Sequence, residues 1–169
     1  MRIKKNLVCI ILCTVLLFCS CGGGGGGSSS SSVSTNSTAG HTPYVISIPE
    51  CKTGALPGAY SHCGVHFSYT NTSTKPVSRI KISCMVYSDT KGTNPFVGPN
   101  HILADFPENN VINNIEVGET RNFILNLDPY LYSTPAKPYL IDYFFVRTVT
   151  FTDGSTWEDT LGTYSVRSY

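Results

Sequence analysis

From Val45 onward the apolar residues recur at every second position, and no long stretch keeps the spacing of a helix face. Gly, Pro, Asn and Asp interrupt the alternation at short intervals. The pattern predicts strands over residues 45–48, 62–70, 77–87, 111–117, 120–127, 140–152 and 155–159, and a short last strand over 163–167. Each is short enough to need partners on both sides before it buries a face.

Two connections can be argued residue by residue. Asp153-Gly154 stands between Phe151-Thr152 and Ser155-Thr156-Trp157, and Asp-Gly supplies the positive φ angles of a two-residue type I′ hairpin turn. The other turn falls within Asn71-Thr72-Ser73-Thr74-Lys75-Pro76. Centred between Ser73 and Thr74, it sets Phe67 opposite Ile80, Val65 opposite Ile82 and Cys63 opposite Cys84, all on one sheet face. Seven or eight short antiparallel strands joined in this way predict an all-β, immunoglobulin-like sandwich, with a small barrel as the alternative.

Upstream of the alternation the chain changes character. Arg2, Lys4 and Lys5 precede an apolar run from Leu7 to Phe18, which is shorter than the roughly 20 residues of a membrane-spanning helix and therefore predicts a cleaved export signal. Leu17, Ser20 and Cys21, followed by six glycines, resemble the lipobox of bacterial lipoproteins. The resemblance implies cleavage after residue 20, a diacylglyceryl group on the Cys21 sulfur and further acylation of the new amino terminus, with chains such as palmitate. Cys19 is a poorer second candidate, because the bulky Phe18 precedes it. An ordinary secretory signal without lipid is the plainer alternative. Two or three acyl chains anchor a protein stably where one binds only marginally.

Residues 21–42 are almost wholly Gly, Ser, Thr and Asn, too polar to offset the entropy of ordering them. They read as a tether whose typical end-to-end distance is roughly 25 Å. A phosphate-cradling glycine loop is excluded, since no strand precedes the run and no helix or Lys-Ser/Thr follows it. Residues 43–169, about 125 in number, suffice for a single core but not two. The predicted organisation is thus signal 1–20, tether 21–42 and sandwich 43–169.

Charge narrows the partners. Twelve Lys and Arg oppose eleven Asp and Glu, and loss of Arg2, Lys4 and Lys5 with the signal leaves nine against eleven. The remaining basic residues are spread singly, which speaks against nucleic acid and against electrostatic attachment to anionic lipid.

Val65-His66-Phe67-Ser68-Tyr69-Thr70-Asn71-Thr72-Ser73, then Ile80-Lys81-Ile82, Val86-Tyr87-Ser88-Asp89 and Ile115-Glu116-Val117-Gly118-Glu119-Thr120, resemble the FxLYD-type immunoglobulin-like domains of bacterial lipoproteins. Cys84, Val86 and Val117 depart from that pattern, and Ser88 is an insertion. The resemblance implies a non-catalytic binding or spacing module at the cell envelope, held to the membrane by its lipid, with a protein or glycan partner.

Of the seven cysteines, Cys9, Cys13 and Cys19 leave with the signal and Cys21 carries lipid, so Cys51, Cys63 and Cys84 remain. The hairpin register favours a Cys63–Cys84 disulfide; Cys51 with either partner is the alternative. His62-Cys63-Gly64-Val65-His66 raises a metal site or a cysteine nucleophile, yet alternation sends Cys63 to the face opposite both imidazoles. An envelope enzyme or metal-binding protein built around His62, His66 and nearby carboxylates is the alternative function. No cofactor and no catalytic residue is assigned. Leu127 to Tyr139 carries three prolines and three tyrosines, either an aromatic recognition surface or rings that cover an open end of the core; at least one of Tyr130 and Tyr132 is expected to pack.

Overall fold

Burial follows the alternation over much of the chain and departs from it where bulges shift the register. The computed structural model describes residues 41–106 and 113–169. Among them eight strands form: β1 (Tyr44–Ile46), β2 (Glu50–Thr53), β3 (Cys63–Asn71), β4 (Val77–Tyr87), β5 (His101–Phe106), β6 (Thr120–Asn126), β7 (Leu140–Phe151) and β8 (Thr156–Glu158). In β3 the residues Cys63, Val65, Phe67 and Tyr69 are buried, and in β4 so are Ile80, Ile82, Cys84 and Val86. Their intervening neighbours are mostly less covered, as a strand with one face on a core requires.

Two antiparallel sheets result. In one, β3 is central, with β1 and β2 pairing in tandem along one edge and β6 along the other. The second has the order β5-β4-β7-β8. This is the all-β, immunoglobulin-like sandwich that the pattern predicts. Its centre is aromatic: the Phe67 ring lies 5.8 Å from Phe106, 5.5 Å from Phe123 and 5.0 Å from Phe144, with Phe67 and Phe106 on opposite sheets.

The expected β3–β4 hairpin is not formed. β3 pairs with β1, β2 and β6, and β4 pairs with β5 and β7, so the 72–76 connection crosses from one sheet to the other. Phe67, Val65 and Cys63 are therefore not paired in-sheet with Ile80, Ile82 and Cys84; the buried faces of the two strands meet across the core. Asn71 holds the crossover: its amide donates to the Lys75 and Ile115 carbonyls at 2.9 and 3.0 Å and accepts from Ser73.

The Asp153-Gly154 hairpin does form, in a different geometry. Thr150 pairs with Thr156, and Phe151 and Ser155 close a three-residue loop in which the Gly154 N–H bonds the Phe151 carbonyl. Gly154 has φ 82° and Asp153 is not in the positive region, so the turn is not type I′. Asp153 instead accepts from Lys75 at 2.6 Å and from the Ser155 N–H at 3.0 Å.

Strands β2 and β5 were not predicted. Among the described residues the 111–117 strand reduces to a bridge between Ile115 and Val77, residues 111 and 112 lying outside them. The 163–167 strand reduces to a bridge between Val166 and Phe144.

The topology gives the sandwich two unlike ends. The chain enters β1 at Tyr44, which pairs with Asn71 beside the crossover and the start of β6. Residues 54–62, 88–100 and 127–139 connect the opposite ends of β2, β4 and β6 to the strands that follow.

Candidate functional site

The end away from the chain entry gathers most of the chemistry noted in the sequence. It is organised by Asp128, at the head of a short 3-10 turn (Asp128–Tyr130) whose Pro129 suits a first-turn position. The Asp128 carboxylate accepts the backbone N–H groups of Ser61, His62 and Cys63 at 2.5, 2.9 and 3.2 Å. Partial burial would raise its pKa, but the three donors outweigh that and hold the carboxyl below its ordinary range. One side chain thus ties the 54–62 loop and the start of β3 to the 127–139 segment.

Gly64 shows why the histidine-bearing strand carries a glycine between its two imidazoles. A Cβ there would stand 2.4 Å from two ring carbons of Tyr60, which packs against the strand at this point and is itself 8% exposed. The Tyr60 hydroxyl meets His66 Nε2 at 2.9 Å. Burial first, then the Lys52 charge, lowers the His66 pKa. His62 turns elsewhere, its Nδ1 3.1 Å from the Thr134 hydroxyl. His62 falls just before β3 and only His66 lies on the strand, with Tyr60 against Gly64 between them. Among the described residues no group of three or more His, Cys, Asp and Glu side chains is placed to hold a metal ion.

The cysteines do not follow the expected pairing. With β3 and β4 in opposite sheets, the register that set Cys63 against Cys84 does not exist; the Cys63 sulfur lies 3.2 Å from that of Cys51. Cys84 is fully buried, and burial pushes its thiol up to about 12. Cys21, the lipid acceptor expected from sequence, lies outside the described residues.

Above this frame sits an aromatic cap. Phe96, from the 88–100 loop, lies 5.4 Å from the Tyr130 ring and 5.9 Å from that of Tyr139. Phe96, Leu131 and Tyr139 pack partly on the core. Tyr130 touches Phe96 but is 39% exposed, Tyr132 is 88% exposed and Val97 86%, so neither of the two tyrosines expected to supply a packed ring is buried; Leu131 and Tyr139 take that place. Beside the cap a shallow depression of about 350 Å³ is lined by Leu56, Pro57, Tyr60, Ser61, Asn126 and Asp128. Sequence reasoning missed Phe96 and Val97, because a Pro- and Gly-rich loop around two apolar residues carries no periodicity.

The arrangement offers exposed apolar and aromatic surface on a base fixed by hydrogen bonds, suited to binding. Neither a protein-family model nor a curated protein matches the sequence. The chain is similar in fold to the crystal structure of a hypothetical protein from Peptoclostridium difficile 630, with a TM-score of 0.51 at 17% identity over 72% of this chain and 89% of that one. That likeness supports the sandwich and carries no activity with it.

Proposed function

We propose that this protein is a bacterial envelope lipoprotein of the FxLYD-like kind, anchored through acylated Cys21 and acting as a non-catalytic binding module for a protein or glycan partner. The observation that carries the reading is the polarity of the domain. The chain enters at the Tyr44 end, and the aromatic cap with Tyr132 and Val97 stands at the other. A lipid anchor upstream of residue 41 joins the domain at its Tyr44 end, which leaves the cap at the other end accessible to a partner. Exposed tyrosine supports recognition because it offers large area at little entropic cost.

The test has two parts. Metabolic labelling with an alkyne fatty acid marks the wild-type chain and not Cys21→Ala, which also leaves the membrane fraction; equal labelling of both removes the anchor from the proposal. Tyr132→Ala melts with the parent, within about 0.5 kcal/mol, as exposed changes do. The same variant co-sediments less with envelope glycan, or cross-links less to an envelope protein. Unchanged retention in both assays moves the binding surface elsewhere.

A further inference from the structure

We propose that Cys51 and Cys63 form a reversible disulfide that staples edge strand β2 to β3 beneath the aromatic cap. Cys51 pairs in register with Val65, and Cys63 is two residues earlier on the same strand and the same inward face. Their sulfurs are 3.2 Å apart. A disulfide needs about 2.0 Å, so roughly 1 Å of approach remains. β2 has only four residues and lies at the sheet edge, where a small shift disturbs little.

The pair is tied to the cap from both sides. The Tyr139 N–H donates to the Cys51 sulfur at 3.3 Å, Asp128 accepts the Cys63 N–H, and the Leu127 N–H donates to the Cys63 carbonyl at 3.0 Å. The cysteines also differ. The Cys63 thiol, with help from Tyr139, stabilises a thiolate at Cys51 and lowers its pKa, while the same contact and burial raise that of Cys63. Cys51 also lies on the edge strand and is 6% exposed where Cys63 is 0%, so it is the first of the two that an outside disulfide can reach.

The oxidant is a dithiol protein in its disulfide form, or a small disulfide such as oxidised glutathione. The Cys51 thiolate attacks one sulfur of that disulfide, forming a mixed disulfide and expelling a thiolate. Cys63 then loses its proton and attacks the Cys51 sulfur, expelling the second thiolate. Two thiols of this chain are oxidised, one disulfide is reduced, and the two protons end on the departing thiols. Cys84 stands on β4 in the opposite sheet, and the sulfur in contact with Cys63 is that of Cys51, so Cys84 keeps its thiol.

The chemistry stands on the geometry alone; only the place where oxidation occurs rests on the envelope assignment. The experiment equilibrates the reduced full-length protein in glutathione buffers, quenches with acid, alkylates after unfolding and maps the unreduced peptides. The expected result is a peptide pair joined through Cys51 and Cys63 with Cys84 alkylated, unchanged in Cys84→Ala. Cys63→Ala instead leaves Cys51 as a glutathione adduct. Cys51, Cys63 and Cys84 all alkylated under oxidising buffer, or any bond to Cys84, overturns the proposal. The same mapping on chains alkylated inside cells separates the two readings: a pair linked in buffer but reduced in cells supports the staple and counts against export.

Discussion

Gly64→Ala should be the most costly single-methyl change in the domain. The added Cβ would lie 2.4 Å from two carbons of the Tyr60 ring, closer than any real contact, and a ring cannot yield as a flexible chain end does. Tyr60 must swing off the strand. It then exposes one face, roughly half of an area of about 200 Å² for such a ring, which at about 25 cal/mol per Å² is about 2.5 kcal/mol. The hydrogen bond to His66 adds about 1 kcal/mol. The total, about 3.5 kcal/mol, is readable as a shift in urea midpoint at unchanged slope. The decisive measurement is a double-mutant cycle. In a Tyr60→Ala background the obstacle is gone, and Ala replaces Gly in a strand where Gly costs about 0.5–1 kcal/mol, so Gly64→Ala becomes neutral or stabilising. An equal penalty in both backgrounds, or one under about 0.5 kcal/mol in the parent, would refute the reasoning.

Asp128 supplies a pH-dependent contribution. Its folded pKa is depressed, so its stabilisation is complete above the unfolded value of about 3.9 and is lost as pH falls through the lower folded value. Asp128→Asn should therefore be less stable than the parent at pH 7, with the gap closing toward pH 2; a gap constant across that range in denaturant titrations would exclude the ionised clamp. Phe67→Ala removes a 3% exposed ring that touches three other phenylalanines, and should cost about 3–5 kcal/mol by chemical denaturation. A cost below about 1.5 kcal/mol would mean that the core closes over the gap.

How much was legible beforehand differs from element to element. The inward residues of β3 and most of β4 follow from alternation, because a strand with one buried face must show it. By contrast β7 buries Ile141, then Phe144 and Val146, then Val149, its phase shifted by bulges against β4. The edge strands escaped. Glu50-Cys51-Lys52-Thr53 buries only Cys51, and His101 to Phe106 follows a loop and buries only Ile102 and Phe106, so neither has a run of alternation long enough to read. The Asp-Gly pair marked a hairpin correctly but not its loop length, since Gly154 alone takes the positive φ while side-chain bonds to Asp153 hold the rest.

The candidate site was legible as residue types and not as a place. His62, Cys63, His66, Tyr130 and Tyr132 stood out by composition, and alternation correctly turned Cys63 inward and His66 outward, while His62 falls before the strand begins. Asp128 gave no signal, because its role is to accept backbone N–H groups more than sixty residues away. Nor did Tyr60, whose importance lies in a glycine that it covers.

What the chain determines by itself is which face of each strand is buried, where turns fall, and that a basic, apolar and then Gly/Ser-rich segment precedes the domain. Tertiary structure alone decides who neighbours whom. A period-two pattern specifies that Val65, Phe67, Ile80 and Ile82 leave water, but pairing β3 with β4 in one sheet and stacking them across a core bury the same side chains equally well. The crossover held by Asn71 selects the second arrangement. With that choice Cys63 leaves the reach of Cys84 and comes to lie against Cys51, because a contact between distant residues depends on the sheet each strand joins, and local alternation is blind to it.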